Sequence, residues 1–336
     1  MVPQPPLAGP LSDTYGRVHS DLRISVTDRC NIRCFYCMPE HGAKFAPVSS
    51  QLTFAEILRF ARLAAGLGIR KIRLTGGEPL LRQKLPDLIA ALADVPGIQD
   101  LALTTNGVLL AGAADSLYSA GLRRLNIHLD TLDRGRFQTI TRRDDLGRVL
   151  AGIEAARKAG FPSIKLNAAA IKGLTEPDIV PIVRFARERG FEARFVEFMP
   201  LDAQQIWSLD RVLTADEMIQ LLSQEFGPLT PVPDADPRAP ATEYRFADGK
   251  RVGFIASVSR PFCLNCNRLR LTADGKLRNC LFAREETDVS ALLREPDSDD
   301  RIEAAIRLSV WQKWAGHEIN KPSFVAPRRP MYSIGG

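Results

Sequence analysis

LRISVTDRCNIRCFYCM, residues 22–38, joins a strand-like run to a loop that carries half of the chain's cysteines. In its first part Ile24 and Val26 alternate with Arg23, the period-two pattern of a β-strand. In its second part Cys30, Cys34 and Cys37 stand at the spacing C-x3-C-x2-C, three thiols just past the end of that strand. A closed tetrahedral metal centre takes four ligands. Two completions are open: His41 as the fourth ligand of a structural zinc, or a [4Fe-4S] cluster with one iron left free for a small molecule.

Working outward, strand-like and helix-like patterns alternate six times between residues 21 and 226. The strand candidates are LRISVT from Leu22, KIRLT from Lys71, LALTT from Leu101, RRLNIHL from Arg123, SIKLNAAAI from Ser163 and EARFVEF from Glu192. Helical stretches lie between them, for example TFAEILRFARLAAGLG from Thr53, with Thr53 as its N-cap. This alternation predicts an α/β protein with a parallel sheet, either a partial barrel or an open doubly wound sheet. Residues 1–20 read as an N-terminal arm and 21–226 as the large domain. Residues 227–336 read as a smaller C-terminal domain entered through the linker GPLTPVPDADPRAP. That second region opens with the hairpin signal Asp248-Gly249 and closes with a helix near Ile302 to Trp314 and the tail RRPMYSIGG.

Strand alternation also says where the chemistry sits. If helices cover the outside, Ile24, Val26, Ile72, Leu74, Ile127, Leu129, Ile164 and Leu166 point outward to meet them. Arg23, Lys71, Arg73, Thr75, Asn126, His128, Lys165 and Asn167 then point inward. A barrel interior is ordinarily filled with branched apolar side chains, and unpartnered buried cations cost several kcal/mol each, so an anion is expected there.

With 336 residues the chain can bury a full core, and its 45% hydrophobic and 25% charged composition is that of an ordinary globular protein. The net charge of +6 suits an anionic partner without saying which. No apolar run reaches the length of a membrane span, and MVPQPPLAGP lacks the parts of a signal peptide, so a cytoplasmic location is expected. The six cysteines fall in two groups of three, which in a reducing compartment points to metal rather than disulfides. The second group is Cys263, Cys266 and Cys280, and taken alone it would also suit a zinc centre completed by His317.

CNIRCFYC resembles the signature of the radical S-adenosylmethionine (SAM) superfamily, and Thr75-Gly76-Gly77-Glu78-Pro79 resembles that superfamily's second motif. The run SVSRPFCLNCNRLRLTADGKLRNCLF, with LTTNG, GLRRLNIHLDTLD, RFVEFMPLD and the Gly-Gly terminus, is similar to the GTP 3′,8-cyclase family of molybdenum-cofactor biosynthesis over nearly the whole chain. The resemblance implies a partial (β/α)6 radical SAM barrel with a smaller C-terminal iron-sulfur domain. It implies two [4Fe-4S] clusters, one on Cys30, Cys34 and Cys37 that binds SAM, the other on Cys263, Cys266 and Cys280 that holds the guanine of GTP.

SAM contacts carried over are Tyr36, Gly77, His128 and Met199; His128 stands where most of the family has serine. GTP contacts carried over are Arg23, Arg73, Thr104, Lys165, Arg268 and Arg270, and Lys71 joins them from the inward cationic set. Arg23, Arg268, Arg270 and the tail residues Gly335 and Gly336 are expected to serve catalysis. The implied reaction begins with a 5′-deoxyadenosyl radical taking hydrogen from ribose C3′ and ends in a C3′–C8 bond, giving 3′,8-cyclo-7,8-dihydro-GTP. Implied partners are cyclic pyranopterin monophosphate synthase as the next enzyme, flavodoxin or ferredoxin as electron donor, and a second copy in a homodimer, with no nucleic acid and no membrane. A radical SAM enzyme acting on peptide or RNA would share the first cysteine group but should not need the inward cations or both arginines after Cys266, and a two-zinc binding module would share the cysteines.

Overall fold

The computed structural model describes residues 4–335. Six parallel strands follow one another in chain order: β1 Asp21–Ser25, β2 Lys71–Thr75, β3 Asp100–Thr105, β4 Arg124–His128, β5 Ser163–Ala170 and β6 Glu192–Glu197. Helices α1 Phe54–Gly66, α2 Leu85–Ala93, α3 Ala114–Ser119, α4 Arg134–Thr141, α5 Leu146–Lys158, α6 Glu176–Arg189 and α7 Ala215–Phe226 make the crossovers and cover the outer face. Thr53 caps α1 as expected: its side chain accepts from the Glu56 amide while the Glu56 carboxylate accepts from the Thr53 amide. The outward set from Ile24 to Leu166 lies wholly buried in the main core.

The C-terminal strands β7 Thr230–Pro231, β8 Thr242–Arg245, β9 Arg251–Ile255, β10 Arg268–Leu271, β11 Lys276–Arg278 and β12 Thr287–Asp288 extend the same sheet at both ends. The order is β12-β11-β10-β1-β2-β3-β4-β5-β6-β9-β8-β7. Pairing is parallel where β9 meets β6 and where β10 meets β1. The sheet is therefore an open, partial barrel with no strand pair joining its two ends among the described residues. Beyond it lie α8 Ser290–Arg294, α9 Asp299–Trp311 and α10 Met331–Ile334. The Asp248-Gly249 turn joins β8 to β9, with Gly249 at φ +83.

Two results refine the sequence reading. The proline-rich stretch from Gly227 is built into the fold: β7 pairs with β8, and Ala235, Asp236, Arg238, Ala239 and Pro240 line the floor of the barrel. The parallel pairing of β10 with β1 sets Arg270 on one side of Arg23, with Arg73 of β2 on the other.

Candidate functional site

A cavity of about 300 Å³ opens at the carboxyl end of the barrel strands, and all six cysteines line it. Cys30, Cys34 and Cys37 come from the loop after β1, and Cys263, Cys266 and Cys280 from the C-terminal extension. All six are free thiols. His41 stands 92% exposed beside Glu40 and lines no part of the cavity, whereas His317 lines it next to Phe282. Among the described residues no trio of His, Cys, Asp or Glu converges to hold a single metal ion. A four-iron cluster takes one thiolate per iron, a wider spacing than the ligands of one zinc.

The first cysteine loop is backed by the glycines of residues 75–79. A Cβ on Gly77 would stand 2.5 Å from the Arg29 carbonyl oxygen, and one on Gly76 2.6 Å from that of Thr27. Backbone lies against backbone there, and only glycine leaves room. Glu78 is fully buried and accepts from the Asn106 amide at 2.7 Å, the Leu80 amide at 3.0 Å and the Thr105 hydroxyl at 2.8 Å. Burial pushes its carboxyl up to about 7 against those donors. Desolvation likewise pushes Cys30 up to about 12 and Cys37 well above the usual thiol range, with the neighbouring thiols adding to both. Beside them Tyr36, His128 and Asp130 form a closed triangle: the Tyr36 hydroxyl meets His128 Nε2 and Asp130 Oδ2 at 2.6 Å each, and His128 Nε2 meets Asp130 Oδ2 at 2.8 Å. Burial alone would lower the His128 pKa, but Asp130 holds it well above its ordinary value.

In the second loop burial again pushes the Cys263 thiol up, but Cys266 stands in the opposite field. Burial raises the Cys266 thiol, yet the charges of Arg268 and Lys313 bring it down to about 6. Arg23, Arg73, Thr104, Arg268 and Arg270 line the cavity between the two loops. Burial and mutual repulsion hold Arg23 well below the usual arginine range and Arg270 at about 9, and burial with neighbouring arginines holds Arg73 at about 10. Such a cluster calls for an anion among the guanidiniums. Arg23 Nε, Thr75 Oγ1, Asn126 Oδ1 and Asn167 Oδ1, all on the inward set, are buried with no hydrogen-bond partner among the described residues. Three free thiols on each wall and these open donors and acceptors fit two clusters, a cofactor and an anionic substrate.

Tyr36, Gly77, His128 and Met199 all line this cavity, as does Arg23. Lys71 and Lys165 instead line a neighbouring cavity of about 200 Å³ at the barrel floor, which shares Arg73 and Pro240 with the first. There Lys165 pairs with Glu192 at 2.8 Å and Lys71 with Asp236 at 3.7 Å. Gly335 reaches in from α10: Arg270 donates to its carbonyl at 2.8 Å, and a Cβ there would stand 2.6 Å from that of Ser25. Gly336 lies outside the described residues.

Several groups that shape the site carry no mark in the sequence reading. Arg194 joins Lys165 at the floor through shared contacts with Glu192 and Glu243. Glu197 accepts from the amides of Ala215, Val258 and Ser259 and so ties the end of β6 to the chain leading to the second cysteine loop. Asn106 Nδ2 donates to Asn31 Oδ1 at 2.7 Å within the first loop. Period-two alternation does reach Arg194, two residues on from Glu192; Glu197, the last residue of β6 and out of phase with that pair, and the loop residue Asn106 carry no such signal.

The radical SAM superfamily model matches residues 24–186, and the Molybdenum Cofactor Synthesis C model matches residues 191–319. The chain is 52% identical over 330 residues to the GTP 3′,8-cyclase of Rhodopirellula baltica, covering 97% of this chain and 92% of that one. It is 49% identical to the GTP 3′,8-cyclase of Mycolicibacterium smegmatis, covering 98% and 93%. Among solved structures it is similar in fold to Streptococcus suis SuiB bound to S-adenosylmethionine, with a TM-score of 0.59 at 14% identity over 85% of this chain and 67% of that one. Native anSMEcpe with bound AdoMet gives 0.58 at 14% identity over 93% of both chains. The chain belongs to the radical SAM superfamily and, within it, to the family of GTP 3′,8-cyclases.

Proposed function

We propose that the two cysteine loops hold two [4Fe-4S] clusters facing each other across a nucleotide, and that the residues between them position GTP for cyclisation. The enzyme converts GTP to (8S)-3′,8-cyclo-7,8-dihydroguanosine 5′-triphosphate, the first step of molybdenum-cofactor biosynthesis. The observation that carries the placement is one cavity lined by both cysteine groups with Arg23, Arg73, Arg268 and Arg270 between them. In this reading Cys30, Cys34 and Cys37 hold the cluster that takes SAM, and Cys263, Cys266 and Cys280 hold the cluster that takes guanine. When bound, the first cluster and SAM would supply the radical chemistry for hydrogen abstraction at ribose C3′.

The protein's part is to bind, aim and exclude water. Tyr36, Gly77, His128 and Met199 would hold SAM, and the Tyr36–His128–Asp130 triangle fixes the Tyr36 and His128 rings among them. Arg23, Arg73, Thr104, Arg268 and Arg270 face the nucleotide. Lys71 and Lys165 face the triphosphate at the floor, whose roughly four negative charges suit the two lysines and their arginine neighbours. The Gly335 carbonyl accepts from Arg270 and brings the end of α10 against the nucleotide side of the site.

The division into an arm at 1–20, a barrel at 21–226 and a C-terminal domain at 227–336 belongs to the same proposal, with the barrel and the C-terminal domain sharing the site. So do consumption of the product by cyclic pyranopterin monophosphate synthase, electrons from flavodoxin or ferredoxin, a homodimer and a cytoplasmic location, each supported by the family resemblance. No helix among the described residues is long and apolar enough to cross a membrane.

Anaerobic reconstitution tests the reading. Roughly eight irons per chain are expected from two four-iron clusters, with cyclisation that requires both GTP and SAM. Iron retained with GTP left unchanged would sink it.

A further inference from the structure

The N-terminal arm is bound to the back of the second cysteine loop by one buried side chain. Arg17 donates through Nη1 to the carbonyls of Cys263 at 2.7 Å and Ala315 at 2.9 Å, and through Nη2 to that of Trp314 at 2.5 Å. Its Nε donates to Asp13 Oδ2 at 2.6 Å. Asp13 in turn is fully enclosed: it accepts from the amides of Tyr15 at 3.0 Å and Arg17 at 3.1 Å and meets His19 Nε2 at 3.0 Å. The side chains of Asp13 and His19 are 0% exposed and that of Arg17 is 7% exposed.

The segment that Arg17 joins to Cys263 is packed tightly against it. A Cβ on Gly316 would stand 3.1 Å from the Cys263 Cβ and 3.5 Å from its Sγ. One residue before Trp314, Lys313 is buried and donates Nζ to the Arg268 carbonyl at 2.7 Å, just past Cys266. The loop's first cysteine and the main chain beyond its second are thus both pinned to residues 313–316, and the pin at Cys263 comes from a part of the chain 246 residues away.

We propose that Arg17, oriented by Asp13, is a positioning residue for the second cysteine site: it shapes the Cys263–Cys266 loop before a cluster is built there. The physical basis is that a guanidinium fork supplies donors in fixed directions to the Trp314 and Ala315 carbonyls and to that of Cys263, which also accepts from the Cys266 amide at 3.1 Å, and charge-assisted bonds in a buried setting hold them firmly. This proposal rests on the two-cluster reading.

The test is anaerobic reconstitution of the full chain as wild type, Arg17→Met and Asp13→Asn, followed by iron analysis, electron paramagnetic resonance of the reduced protein and SAM cleavage. Arg17→Met is expected to keep roughly four irons, the first cluster's signal and SAM cleavage, while losing the second signal. Asp13→Asn, which leaves Arg17 in place without its orienting carboxylate, is expected to weaken the second signal in part. Arg17→Met with roughly eight irons and both signals at wild-type strength overturns the proposal. If Arg17→Met does not fold, undiminished second-cluster signal in Asp13→Asn overturns it equally. A wild-type chain that takes up only about four irons overturns the two-cluster reading itself, whatever the variants do.

Discussion

The two cysteine loops offer the same ligand count to opposite surroundings. The first is shaped by close backbone contact: Gly76 and Gly77 press against the main chain of residues 27–29, and Glu78 gathers the amides of Leu80 and Asn106 beneath it. Its thiols Cys30 and Cys37 are pushed up by burial. The second is shaped by cations: Arg17 and Lys313 hold its main chain, and Arg268 with Lys313 draw Cys266 down to about 6. Steric fit builds one site and charge builds the other, so the two should fail in different ways.

The largest contrast is expected from the cysteines themselves. Cys34→Ser should remove SAM cleavage and cyclisation together, whereas Cys266→Ser should remove cyclisation and leave SAM cleavage running without product. Loss of SAM cleavage in both variants, measured as 5′-deoxyadenosine, would erase the division of labour. In the iron-free protein at pH 7, iodoacetamide should modify Cys266 about 100-fold faster than Cys30 or Cys37. A much larger thiolate fraction is partly offset there by lower intrinsic nucleophilicity. Peptide mass spectrometry reads the ratio, and equal rates would break the electrostatic half of the comparison.

A smaller effect concerns acid. Burial, with Lys313 and Arg17 nearby, holds His19 at about 4 in spite of its bond to Asp13, below the ordinary 6.5. The unfolded chain therefore takes up a proton between pH 6.5 and 4 that the folded chain refuses, and about 3 kcal/mol of stability is lost across that window as pH falls. Asp13, which hydrogen bonds from His19 and Arg17 hold at about 2 against burial, adds its own loss only below about pH 4. Denaturant unfolding of wild type and His19→Gln should show the steeper acid limb in the wild type alone. Smaller again, Gly77→Ala forces a Cβ into the Arg29 carbonyl and should cost about 1–3 kcal/mol and the first site's iron. Leu264→Ala, at a side chain left 79% exposed in the second loop, should change stability by no more than about 0.5 kcal/mol.

Much of the site was legible because strands announce their faces. Arg23, Arg73 and the outward apolar set follow from period-two alternation, and the six cysteines from spacing alone. The register between β10 and β1 was not legible: it places Arg270 beside Arg23 through a pairing 247 positions apart. Nor was the split of the inward cations into two cavities, because the carboxylates of Glu192 and Asp236 that claim Lys165 and Lys71 come from other elements, one of them the proline-rich stretch. Asp13, Arg17 and His19 lie in a segment without periodicity, and the carbonyls that Arg17 reaches lie far along the chain, so the sequence pattern does not mark them as a buried cluster.

The central claim is that the first site aims its chemistry at the ribose of a GTP held by the second. GTP deuterated at C3′, incubated anaerobically with the reconstituted enzyme, SAM and a reductant, tests it most directly. Deuterium should appear in 5′-deoxyadenosine in step with formation of the cyclised nucleotide. Deuterium retained in that nucleotide, with none in 5′-deoxyadenosine, would contradict the account.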